Sequence, residues 1–404
     1  MPEIAAAFWL EQTGLQRLVD LLRAAGRRVI GPQVRDAAVV YDDLPDAAAL
    51  PTGLIDEQDG GWYRLIEQAL AGPFDHVAGP HSLKNFLFPP RETIQRWRRQ
   101  EGSWEQLAGE EPTPPLAVIG PRACDLAALA IQDRVFLESN FVEPFYKTRR
   151  EQLFVVAVNC RRAAATCFCH SMGCGPAVTT GHDLLLTPVG ERFVVEVGSD
   201  AGAAVAADLS AGQPGCTAAD LAAAREVSRE LATAMAARPA TPVRPAAEIR
   251  PQTTAAAPAT GDRHAAAPHR SLDTENIRDL LFDNLEHDRW QQVAERCLAC
   301  GNCTLVCPTC FCSSVTDVAD LAGDDVSRER QWASCFTTEH GQMHDANARP
   351  TTAARYRQWL THKLAGWIDQ FGTSGCTGCG RCITWCPVGI DLTEEVAAIR
   401  ETAS

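Results

Sequence analysis

Two stretches decide how this chain is read: Cys297-Leu-Ala-Cys300-Gly-Asn-Cys303-Thr-Leu-Val-Cys307-Pro308 and Cys376-Thr-Gly-Cys379-Gly-Arg-Cys382-Ile-Thr-Trp-Cys386-Pro387. Both have the C-x2-C-x2-C-x3-C-P spacing by which thiolates hold 4Fe–4S clusters. One short loop brings three thiolates to three corners of a cubane. The proline then turns the chain away, and the fourth cysteine reaches the other cluster. The expected sets are therefore Cys297, Cys300, Cys303 and Cys386 for one cluster, and Cys376, Cys379, Cys382 and Cys307 for the second. Cys310 is an alternative to Cys307. Structural zinc also takes paired cysteines, but its sites usually show two C-x2-C pairs separated by a longer loop. Gly301, Gly378 and Gly380 suit a backbone wound tightly around an inorganic core.

About 68 residues separate the two runs, far more than a compact ferredoxin uses. Tyr356, Trp359, Leu360, Leu364, Trp367, Ile368 and Phe371 fall at i, i+3/i+4 spacing, which predicts a helix over 352–371 ending at Gly372. Ahead of the first run, Ile277, Leu280 and Leu281 form one face of another helix. Residues 271–404 are thus expected to be an all-α helical ferredoxin domain with two 4Fe–4S clusters and a mostly helical spacer.

Upstream the pattern changes. Helices are expected over 8–26, 62–70 and 92–99. Strands are expected at Leu116-Ala-Val-Ile119 and Leu153-Phe-Val-Val-Ala-Val158, and a hairpin over 183–187 and 192–197. Asp125 stands where an N-cap would precede an alanine- and leucine-rich helix. Residues 1–235 read as an α/β domain, so the whole is an α+β multidomain chain. Residues 236–270 are rich in Pro, Ala, Thr and Arg with almost no large apolar side chain. Such a segment cannot offset its ordering entropy by burial and reads as a linker.

Nine cysteines lie outside the two runs. Cys310, Cys312 and Cys335 read first as small buried hydrophobes, which free cysteine often is, and Cys216 lies in the N-terminal half with no role assigned. Cys124 and Cys160 stand at the C-terminal ends of two predicted parallel strands, the edge where open α/β sheets build their sites. Cys167, Cys169 and Cys174 follow in a glycine-bearing loop. These thiols would converge on a third cluster, with zinc or a redox pair as competing readings. Arg122, Lys84 and Arg91 are placed near such a site, with solvated charge as the default.

The chain has 404 residues, 46% hydrophobic and 22% charged, with a formal net charge of −14. That charge argues against nucleic acid or an anionic membrane as the main partner. No run approaches the roughly 18 apolar residues that span a bilayer. No basic n-region precedes an apolar stretch, so no signal peptide is expected. The 17 cysteines then read as reduced metal ligands in the cytoplasm rather than disulfides. No P-loop or G-x-G-x-x-G is present, nor an acid–base pair or a nucleophile–His arrangement. No catalytic centre of its own is expected.

The residues now on the page carry a resemblance. The run from Cys297 to Cys312, Trp332-Ala-Ser-Cys335, and Gly375-Cys-Thr-Gly-Cys-Gly-Arg-Cys-Ile-Thr-Trp-Cys-Pro-Val-Gly-Ile-Asp391 resemble the beta subunit of soluble nickel–iron sulfhydrogenases, a family related to the anaerobic sulfite reductase A subunit. Gly120-Pro-Arg-Ala-Cys-Asp125 and Thr166-Cys-Phe-Cys-His-Ser-Met-Gly-Cys-Gly-Pro176 match it too, although Cys174 stands where the family has threonine. The resemblance implies an N-terminal cluster held by Cys124, Cys160, Cys167 and Cys169. It implies an electron conduit between a flavin subunit that handles NAD(P)H, a diaphorase-type partner, and the small and large subunits of a nickel–iron hydrogenase. The alternative is the electron-feeding subunit of an anaerobic sulfite reductase or a heterodisulfide-reductase-like complex.

Overall fold

The computed structural model describes residues 7–107, 114–243 and 269–403. A seven-stranded sheet organises the N-terminal half, in the order Phe8–Glu11, Arg192–Val197, Leu184–Val189, Phe154–Val158, Leu116–Ile119, Arg28–Arg35, Ala38–Asp43. Its four central strands, from Leu184–Val189 to Arg28–Arg35, run parallel. They read as continuous apolar runs because both faces are covered. Ala117, Ile119, Phe154, Val156 and Val158 face one core with Leu15, Leu18 and Leu22 of the helix Gly14–Ala24. Leu116, Val118, Val155 and Ala157 face the other with Leu126, Leu129 and Phe136 of the helix Ala123–Phe136. The hairpin of Leu184–Val189 and Arg192–Val197 is as expected.

Several expected helices are strands. Residues 8–26 split into the edge strand Phe8–Glu11 and the helix Gly14–Ala24. Trp62–Glu67 pairs with Leu54–Asp59 in a hairpin. Arg91–Gln100 is a long strand, not a helix over 92–99. It lies in a four-stranded sheet ordered Ser313–Ala319, Asp325–Trp332, Arg91–Gln100, Ser103–Gln106. Two of those strands come from the spacer between the cysteine runs, and Gln342–Met343 pairs with Ala346–Asn347 further along it, so the domain is not all-helical. The reason is non-local. The strand Arg91–Gln100 pairs with a partner far along the chain, and exposed ion pairs bridge the sheet, Arg98 with Asp325 at 2.7 Å and Arg328 with Asp317 at 2.7 Å. The Arg98–Asp325 pair joins residues more than two hundred positions apart, and no window of sequence displays it.

The helices Ile277–Asp283, Arg289–Ala294, Thr352–Thr361 and Leu392–Thr402 pack a second core around Leu281, Trp290, Tyr356, Trp359, Leu360, Leu364 and Val396. The helix expected over 352–371 is continuous but passes through a π turn at His362–Gly366 before Trp367–Phe371, and Gly372 ends it at φ +67°. The two halves interlock: Phe168, from the N-terminal thiol loop, is buried in the C-terminal core. Most of the stretch read as a linker, 244–268, lies outside the described residues. Its flanks meet: Ser271 N donates to Thr241 Oγ1 at 3.2 Å, and the Thr241 hydroxyl donates back to Ser271 O at 3.0 Å.

Candidate iron–sulfur site

The two cysteine runs fold alike. In the first, Ala299 N donates to Cys297 Sγ at 3.4 Å, and Gly301 at φ +75° opens the short helix Asn302–Leu305. In the second, Gly378 N donates to Cys376 Sγ at 3.4 Å, and Gly380 at φ +77° opens Arg381–Thr384. Each run thus makes a loop with an amide aimed at sulfur, then one turn of helix, then the fourth cysteine. Amide–sulfur hydrogen bonds are among the features that set a cluster's potential. Asn302 ties the runs together by donating from Nδ2 to Trp385 O at 2.5 Å.

The glycines answer to more than an inorganic core. A Cβ on Gly378 would stand 2.6 Å from Cys169 N and Cα, and one on Gly380 would stand 2.4 Å from Thr166 O. Phe168 N donates to Gly378 O at 2.8 Å. The second run is therefore built to receive the backbone of the N-terminal thiol loop.

The predicted sets are brought together. Cys303 lies beside Cys386, Cys297 and Cys300. Those four, with Cys382, line one pocket whose other walls include Phe336, Tyr356 and Trp359. Cys382 lies beside Cys376, Cys379 and Cys307 and also faces Cys303, so the two groups adjoin. Cys300 is exposed, whereas Cys307 and Cys376 are buried. Burial pushes the Cys303 and Cys382 thiols well up and the Cys376 thiol up to about 12. A metal centre is what would keep such groups as thiolates. Cys307 goes the other way: a hydrogen bond with Cys310 and the nearby Lys363 ammonium hold it well below the usual thiol range.

In the N-terminal half, adjacent parallel strands deliver Gly120-Pro-Arg-Ala-Cys124 and Asn159-Cys160 to one edge. Cys124, Cys167 and Cys169 are buried there with Val77, Ala164 and Met235, and Cys174 and Cys379 pack against them. Cys160 neighbours Cys167 and Cys169. The N-terminal thiols and the second run therefore meet at Cys379. Among the described residues, no three Cys, His, Asp or Glu side chains close on a point that would hold a single metal ion. Each group offers sulfur donors, which both iron–sulfur clusters and zinc accept.

Charges placed by the fold complete the site. Solvated charge fails as a default for Arg122 and Lys84, which are buried, and holds for Arg91. Arg122 donates to Phe74 O at 2.7 Å and His76 O at 3.1 Å. Lys84 donates to Leu305 O at 3.2 Å and sits 3.8 Å over the Trp332 ring. Asp125 is not the N-cap. It is the third helical residue, accepting from Arg122 N at 3.1 Å and facing Arg381 at 2.8 Å. Arg381, fully buried, also donates to Gly79 O at 2.7 Å and His81 O at 3.0 Å. Sequence reading passed over Arg381 and Lys363. The signal for Lys363 was its position: it is four residues from both Trp359 and Trp367, on the apolar stripe of its helix.

Residues 296–390 match the family model of a 4Fe–4S dicluster domain. The chain is similar to the sulfhydrogenase 2 subunit beta of Pyrococcus furiosus, 28% identical over 319 residues, which is 79% of this chain and 82% of that relative. These findings bear out the resemblance read from the motifs and the reading of the chain as an iron–sulfur electron-transfer protein. Among the described residues, no helix is long and apolar enough to cross a membrane.

Proposed function

We propose that the chain is the relay subunit of a multi-subunit hydrogenase, joining a flavin- and NAD(P)-binding subunit to the small and large subunits of a nickel–iron core. Cys297, Cys300, Cys303 and Cys386 would hold one 4Fe–4S cluster, and Cys376, Cys379, Cys382 and Cys307 the second. Cys124, Cys160, Cys167 and Cys169 would hold a third. When bound, the clusters supply one-electron transfer; the protein positions them, buries them and sets their potentials through hydrogen bonds and solvent exposure.

One observation carries the reading: the three thiol groups are contiguous, through Cys303 against Cys382 and through Cys379 against Cys124, Cys167 and Cys169. This contiguity supports the Cys376 group as the middle station of the relay. Exposed Cys300, beside the exposed Leu298, marks the end open to a partner. Cys307 is favoured over Cys310 because its Sγ receives the Lys363 ammonium at 3.2 Å and lies 3.1 Å from the Thr309 hydroxyl.

The test is iron counting with electron paramagnetic resonance on the anaerobically purified full chain, followed by purification from its source with its neighbours attached. About twelve iron atoms and nickel–iron and flavin subunits in the same complex are expected. Sirohaem sulfite reductase subunits in that complex would move the assignment to sulfite reduction. About one zinc per site and no iron would end the cluster reading.

A further inference from the structure

Lys363 is buried in the π turn His362–Gly366, where an extra residue widens the helix. Such turns recur at functional sites. Its ammonium touches Cys307 Sγ at 3.2 Å, Thr309 Oγ1 at 3.1 Å and Gly375 O at 3.0 Å. Those partners are a thiol, a hydroxyl and a carbonyl, and none is a carboxylate. Thr309 Oγ1 donates to Gly375 O at 2.6 Å, and Gly375 N donates to Lys363 O at 2.8 Å. The lysine is thus stitched on both sides to the residue before Cys376. A buried cation is costly unless a counter-charge faces it. The available counter-charge is thiolate, and the sulfur it touches is the one the proposed function assigns to the middle cluster.

We propose that Lys363 is a potential-setting residue: its charge on Cys307 makes the centre of Cys376, Cys379, Cys382 and Cys307 easier to reduce than the centre of Cys297, Cys300, Cys303 and Cys386. This rests on that centre being an iron–sulfur cluster. Adding an electron makes the centre more negative, and a fixed positive charge against one ligand favours the reduced form; at low dielectric little screens it. Among the described residues, no lysine or arginine nitrogen is hydrogen-bonded to the sulfur of Cys297 or Cys386; these accept from the amides of Ala299 and Ile390.

The experiment compares wild type with Lys363→Met, Lys363→Gln and Lys363→Arg in the anaerobic full chain, by iron count and by redox titration followed with electron paramagnetic resonance. In wild type the signal of the Cys376 group should reduce ahead of that of the Cys297 group. In a neutral variant with unchanged iron, the Cys376-group signal should need at least a tenfold larger reducing ratio, or 59 mV for one electron. The other signals should stay in place, and Lys363→Arg should recover most of the shift. A neutral variant that keeps both its iron and its potential overturns the proposal. If every neutral variant loses four iron atoms, Lys363 holds structure rather than potential, and the proposal is again overturned. Wild type with no iron would instead sink the cluster reading beneath it.

Discussion

Arg381→Met tests how the two halves are held in register. Arg381 comes from the second cysteine run and Asp125 from the helix that carries Cys124. They face each other at 2.8 Å with both side chains almost wholly buried. Methionine keeps much of the volume and removes the charge. It leaves a buried carboxylate without its cation, and the carbonyls of Gly79 and His81 without their donor. Removing one partner of such a pair costs about 3–5 kcal/mol. With an unfolding entropy of roughly 2.1 cal/mol/K per residue, this 404-residue chain should melt about 4–6 °C lower if it unfolds as one unit. Calorimetry on the anaerobic protein reads the shift, with visible absorbance reporting cluster loss in the same scan. Adding Asp125→Asn should restore part of the loss: the amide oxygen still accepts from Arg122 N, and no uncompensated charge remains. Such non-additivity marks a direct interaction. A shift under about 1 °C for Arg381→Met, or a double variant in which the two losses simply add, would refute the reasoning.

Other outcomes follow from neighbouring residues. Gly378→Ala places a methyl 2.6 Å from the Cys169 backbone and strains a left-handed position; it should loosen the thiol loop, seen as faster amide exchange at residues 166–170, while Gly323→Ala, in an open turn, should leave that region unchanged. Cys169→Ser should lower the iron count by about four if the N-terminal thiols hold a cubane; an unchanged count removes Cys169 from the ligand set. Arg98→Ala breaks an exposed ion pair with Asp325, which solvent screens, so the melting temperature should stay where it was. A clear drop would mean the shared sheet depends on that pair.

Cluster chemistry was legible in the sequence because it is local. A loop of fixed spacing presents its thiolates whatever surrounds it, so the dicluster motif could be read from two stretches of twelve residues, as could the strands at Leu116 and Phe154 from their unbroken apolar runs. The N-terminal thiols were half legible. Cys124 and Cys160 announced themselves at strand ends, but their meeting with Cys167 and Cys169 depends on which strands are neighbours.

What the tertiary structure alone decided is contact between distant segments. The strand Arg91–Gln100 has the charge density of a solvated helix, and it becomes a strand because the distant strand Asp325–Trp332 pairs with its backbone along its length. Arg381 and Lys363 look like surface cations by type, and burial is possible only because Asp125 and Cys307 come to meet them. The order of the thiol groups is of the same kind. Spacing keeps the first three thiols of each run on one loop. Only the packing of the second run on the thiol loop, allowed by Gly378 and Gly380, says which thiol group stands next to which.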